Sequence, residues 1–183
     1  GHCFTTMMTG WTLDYGGKNY KEHVDQLFNE HPEYFPLING QRKVTYYMGN
    51  EPQPCTSNPD VIKRTAAHIL RWQERALQRG HNKPTLDFGS NDSTKWCECD
   101  NCRAIDPPGE KSRGNFSTRY WTFANAVFEE IRKTDPDFKF GGWTYANYAD
   151  VPEGVKPDAK IDKIMISNHY RCWKHELNDP DCV

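Results

Sequence analysis

The chain has 183 residues, with 23 Lys and Arg against 25 Asp and Glu, and a formal net charge of −2. Both signs are mixed along its length, which excludes the one-sided basic footprint of a nucleic-acid binder. No apolar run approaches the about 20 residues that a membrane span needs. The length suits one domain with a real core but falls short of the about 250 residues of a complete (β/α)8 barrel.

In chain order, residues 3–9 predict a buried strand that leaves through the glycine-punctuated segment Gly10, Gly16 and Gly17. Val24, Leu27 and Phe28 form an apolar stripe that predicts a helix over 20–30, stopped by Pro32. Asn39-Gly40, set between short extended segments, predicts a hairpin within 36–47. Residues 48–57 are rich in Gly, Pro and Asn and form a loop holding Glu51 and Cys55.

Asn58-Pro59-Asp60 is a helix start with a cap, a proline at the first position and an acid at the positive end. It predicts a helix over 59–79 that stops at Gly80. A strand over 85–89 follows, then a cysteine-rich loop and a helix over 117–134. Strands at 138–143 and 163–166 complete the pattern. Taken together, the four predicted strands read as parallel neighbours in chain order, an α/β sheet with right-handed crossovers. The two long helices are expected on one outer face, and the hairpin near the carboxyl ends of the strands.

Those carboxyl ends share a composition. Thr9-Gly10-Trp11, Gly89-Ser90-Asn91-Asp92, Thr144-Tyr145-Ala146-Asn147 and Ser167-Asn168-His169-Tyr170 mix polar side chains with aromatics. In parallel α/β folds such ends converge on one face, where sites form. The chain's 6 Trp, 9 Tyr and 9 Phe are numerous enough to supply half-polar surfaces for sugars as well as a core. The expected cleft is lined by His2, Trp11, Asn91, Trp96, Trp143, Asn147, His169 and Tyr170. Beside it, Cys97, Cys99 and Cys102 have C-x-C-x2-C spacing, one ligand short of a structural zinc site. Cys55 and His81 are candidates for the fourth position, and a disulfide within the block is the alternative.

Several segments resemble the bacterial DUF4838 family: 31–38 (His-Pro-Glu-Tyr-Phe-Pro-Leu-Ile), Asn58-Pro59, 89–102 and 143–148. The likeness extends to Gly1-His2-Cys3-Phe4 and to 175–182, and so covers most of the chain. This copy departs from the family pattern in its loop, with Ser90 where a proline is expected and Ser93-Thr94-Lys95 where glycines are common.

The resemblance implies a barrel-type, glycoside-hydrolase-like protein. On that reading residues 1–183 are a partial (β/α)8 barrel, a fragment of a larger catalytic domain completed by the remaining strands or domains of a longer polypeptide. It also implies a multidomain, exported protein directed at polysaccharide. An exported setting favours disulfide pairing over zinc at the cysteine block, so no cofactor is expected beyond a structural zinc.

Glycoside hydrolysis generally needs two carboxyl groups across the scissile bond. Asp92, just past a strand end, is the first candidate for acid/base work, and a neighbouring Trp that excludes water would raise its pKa. Glu98 is taken as its catalytic partner, with Asp87 as the other candidate. The competing class is a carbohydrate-binding or structural α/β module that cuts no bond.

Overall fold

The computed structural model describes residues 4–10, 19–46, 51–167, 174 and 179. Helix α1 spans Phe4–Thr9, where the sequence predicts a strand over 3–9. A short, wholly buried run has no exposed face, so periodicity cannot separate the two conformations. Tertiary contacts decide for the helix. The Asn91 side chain accepts a hydrogen bond from Thr5 N at 3.0 Å, satisfying one of the free amides of the first turn. Gly10, at φ 78°, closes the other end with its N–H on Thr6 O.

Helix α2 (Tyr20–Glu30) buries Val24 and Leu27 and gives way to a 3-10 turn at Pro32–Tyr34. Strands β1 (Leu37–Ile38) and β2 (Gln41–Arg42) form an antiparallel hairpin. Its two turn residues, Asn39 and Gly40, have φ of 50° and 76°. Positive φ at both central positions is what the favoured two-residue turn requires, hence Asn-Gly.

Helix α3 runs Pro59–Gln78, and the Asn58 side chain accepts from the N–H groups of Asp60 and Val61. Its buried face carries Val61, Thr65, Ala66, His68, Ile69 and Gln73.

The main sheet joins β3 (Leu86–Phe88), β4 (Phe140–Thr144) and β5 (Ile161–Ile166), all parallel and in that order. Short helices α4 (Asp100–Arg103) and α5 (Pro108–Ser112) and the long helix α6 (Ser117–Arg132) lie between β3 and β4. The start of α6 is capped from a distance. The wholly buried Glu110 carboxylate accepts from Thr118 N and Thr118 Oγ1, and from Glu153 N in the loop before β5.

Helix α6 packs against both α3 and β4, and α3 also packs against α1. Alternation along the strands separates the sheet's two faces. Phe88 and Phe140 lie under α6, where Phe128 stacks on Phe140 at 3.8 Å between ring centroids. Gly142 belongs to this face, and a Cβ there would collide with the Trp121 ring. Phe4 of α1 joins the cluster, 4.9 Å from both Phe88 and Phe123.

The opposite face is polar at its centre, where Lys163 pairs with Asp87 at 3.0 Å across Gly141. Strand β5 forms an outer edge of this sheet, and Ile164, Met165 and Ile166 on it are exposed. Among the described residues no helix is long and apolar enough to cross a membrane.

Candidate functional site

The loops leaving β3 and β4 are tied to each other through α6. Deep in the core, the Tyr120 hydroxyl donates to Phe88 O at 2.6 Å and accepts from Trp143 N at 3.0 Å. Burial pushes the Tyr120 pKa up, so it stays a neutral hydroxyl with one proton to give. Nearer the surface, Ser90 Oγ donates to the Tyr148 hydroxyl at 2.8 Å. Tyr148 is also buried, and its pKa is pushed up to about 12. Above these sits Asp92, exposed, with its Oδ1 accepting from the Tyr145 hydroxyl at 2.8 Å. Ala146, between Tyr145 and Asn147, has φ 47°, a left-handed conformation unusual for alanine.

Asn91 is nearly fully buried and holds the loop in place. Its Oδ1 accepts from Thr5 N, and its Nδ2 shares two protons among Thr5 Oγ1, Glu51 O and Pro52 O. Its backbone N–H donates to Gln53 Oε1, and Gln53 Nε2 donates to Asn91 O and Ser93 O. Residues 51–53 therefore run beside 91–93. Burial raises the pKa of Glu51 in this segment, and the charge of Lys95 offsets part of the rise.

The second half of the loop carries the sulfurs. Cys55, Cys97, Cys99 and Cys102 place their Sγ atoms within 4.8 Å of one another. Cys55 to Cys99 is 3.6 Å and Cys55 to Cys102 is 3.9 Å. All four are free cysteines, so the disulfide favoured from sequence is not formed in this block. Four thiols this close could hold a metal ion such as zinc. The fourth sulfur is that of Cys55. His81 is exposed beyond the far end of α3, a helix about 30 Å long whose opposite end adjoins the cluster.

Crowding shifts two of these thiols in opposite directions. Hydrogen bonds from Cys102 and Cys97 hold Cys55 well below the ordinary thiol range, while those with Cys102 and Cys55, together with burial, push Cys97 up. Neighbouring groups also point at the sulfurs. Leu37 N donates to Cys97 Sγ at 3.3 Å, Arg42 Nη1 approaches the same sulfur at 3.7 Å, and Ser57 Oγ lies 3.1 Å from Cys102 Sγ. From α6, Arg119 donates to Cys97 O at 2.6 Å and forms a buried ion pair with Asp106.

The carboxylates proposed from sequence have different partners. Asp92 faces Tyr145, whereas Glu98 accepts from Asn39 N at 2.9 Å and lies 3.5 Å from Arg103. Glu98 lines a cavity of about 430 Å³ with Lys95, Arg103 and Lys111, between the hairpin and α5. Asp87 is engaged with Lys163 on the polar face of the sheet.

Trp96 is buried against Phe116 and donates from Nε1 to Asn147 Oδ1 at 3.2 Å. Asn147 in turn donates to Thr94 O, so it clasps the cysteine loop to the β4 exit. Trp143 is half-buried at the core margin. His2, Trp11, His169 and Tyr170 lie outside the described residues. Sequence reading placed Glu51 in its loop without a role and passed over Gln53 and Arg119, which carry no motif. Only their contacts with the 91–97 segment draw attention to them.

No curated protein and no solved structure matches the chain. A family model described as Domain of unknown function (DUF4838) matches residues 5–179, and the chain therefore belongs to that family.

Proposed function

We infer that this domain carries a carbohydrate-directed site of glycoside-hydrolase type at the carboxyl ends of its parallel strands, with Asp92 as an acid/base carboxylate. The observation that carries this reading is the Tyr145–Asp92 hydrogen bond. It sets an exposed carboxylate between the exits of two adjacent parallel strands, the position from which barrel enzymes work. A tyrosine beside an acid also offers both a flat surface and a polar edge to a sugar ring.

Glu51 replaces Glu98 as the second carboxylate in this proposal. Its backbone lies against Asn91, next to Asp92, and its raised pKa suits a proton donor. The partial-barrel reading is supported by three parallel strands in chain order and by the exposed apolar edge of β5, which further strands of a longer polypeptide would cover. Export belongs to the same proposal and rests on the family resemblance.

The test is hydrolysis of a panel of aryl glycosides and plant and bacterial polysaccharides by the full-length protein. Asp92→Asn and Glu51→Gln should each lower kcat by about a hundredfold or more. Activity of Asp92→Asn within about tenfold of the parent removes Asp92 from the mechanism. Saturable binding to a polysaccharide without turnover selects the non-catalytic module instead, a reading favoured by Glu98 being held by the hairpin and Arg103.

A further inference from the structure

We propose that Cys55, Cys97, Cys99 and Cys102 form a closed, structural zinc site that clamps the loop after β3 to the segment entering α3. This inference stands apart from the carbohydrate reading and rests on the sulfur geometry. Zinc–thiolate bonds are about 2.3 Å, so the edges of a regular ZnS4 tetrahedron measure about 3.8 Å. The Cys55–Cys99 and Cys55–Cys102 edges, 3.6 Å and 3.9 Å, bracket that value, and all four sulfurs lie within 4.8 Å of one another. A disulfide needs its sulfurs at about 2.05 Å. An all-sulfur tetrahedron suits zinc or iron, and the absence of any other donor among the four leaves no open position for a substrate.

The surroundings fit a charged cluster. Each sulfur binds as its thiolate, with the protons of those still protonated passing to solvent, and the result is a dianionic ZnS4 unit. Arg42 supplies a positive charge at Cys97, and Leu37 N–H and the Ser57 hydroxyl are placed to donate to sulfur. Such outer contacts orient ligands and temper their charge. Cys55 lies just before the start of the 20-residue helix α3, so the positive end of that helix adjoins the sulfurs. An ion can also enter. A depression of about 340 Å³ lined by Arg42, Ser57 and Asn58 opens onto Cys55 and Cys99, while Cys97 and Cys102 are buried behind them.

The clamp joins three parts of the chain that are distant in sequence. Cys55 N donates to Tyr34 O of the 3-10 turn and Glu98 N donates to Leu37 O of the hairpin, so the 32–38 segment is bound in with both cysteine segments. The chemistry is that of a staple, with zinc in place of a covalent bond.

The full chain, purified without chelator, should contain one zinc and little iron by elemental analysis. Its four cluster thiols should resist alkylation until a chelator is added, as read by peptide mapping. Replacement of zinc by cobalt(II) should give thiolate-to-cobalt charge transfer and the intense visible bands of tetrahedral coordination. Cys102→Ser should lower zinc to about a tenth of an equivalent or less. The chain has three other cysteines, and the triple variant Cys3→Ser, Cys172→Ser, Cys182→Ser should keep the zinc.

Metal-free chain lighter by four hydrogens, with the cluster peptides disulfide-linked, overturns the proposal. So do iron in place of zinc, free reaction of all four thiols without chelator, or loss of zinc in the triple variant. Should Cys102→Ser fail to fold, the cobalt spectrum and alkylation map of the parent decide the matter.

Discussion

The segment leading from β3 into α4 has two halves built on opposite principles. Residues 96–102 are locked. Three sulfurs meet Cys55, Trp96 is packed on Phe116, and Arg119 with its partner Asp106 fixes the carbonyl of Cys97. Four residues earlier, Asp92 is exposed with one hydrogen bond, from Tyr145. Asn91, just before Asp92, is the anchor of the open half, buried and bonded to α1 and to 51–53. The contrast teaches how an exposed acid can be held in place without being buried itself. Rigidity is supplied by its neighbours, and the carboxylate is left free to meet water or ligand.

The largest effect that tests this contrast is removal of the proposed metal. Chelation should leave four thiols crowded in the core and cost several kcal/mol. At about 2–4 °C per kcal/mol, the Tm should fall by about 10 °C or more in a calorimetric scan. Protection of backbone amides in 96–102 should drop before that of α6. An unchanged Tm would mean that the locked half owes its rigidity to packing alone.

Next comes Asn91→Ala, which strips partners from Thr5, Glu51 and Pro52 in the interior. Unsatisfied buried groups put the loss at about 2–4 kcal/mol, a Tm decrease of about 5–15 °C. A smaller loss would show that the open half does not depend on this anchor.

On the open side the effects are smaller and differ in sign. Ala146 has a left-handed backbone, so Ala146→Gly should stabilise the protein by about 1 kcal/mol, measured by urea unfolding. The smallest effect belongs to Glu51. Its folded pKa is raised by burial, so its contribution to stability is fully present below the unfolded pKa and is lost as pH rises through the folded value. Glu51→Gln should therefore be slightly more stable than the parent at neutral pH, by less than about 0.5 kcal/mol because solvent screens the exposed part. The difference should vanish near pH 4. A variant less stable than the parent at neutral pH would show that Glu51 is held by an attractive contact.

The sequence alone determined the elements whose signals are local. The start of α3 was legible in Asn58-Pro59-Asp60 because the cap, the proline and the acid act within one turn. The hairpin turn was legible because Asn39-Gly40 suits two consecutive positive φ angles. Strands β3, β4 and β5 and their parallel order followed from apolar runs separated by a helix or a long loop. Family membership was legible too, carried by the 31–38, 89–102 and 143–148 segments.

Tertiary structure decided what depends on partners far along the chain. Phe4–Thr9 became a helix because Asn91, 86 residues away, satisfies its first turn. Cys55 joined sulfurs more than 40 residues later because its segment runs along the loop after β3. Asp92 and Glu98, six apart in sequence, took different partners, Tyr145 at the exit of β4 and Asn39 in the hairpin. Local propensity is written in neighbouring residues. Which side chains share a site is set by long-range packing, where a single buried amide or a ring of sulfurs outweighs the pattern of the segment it holds.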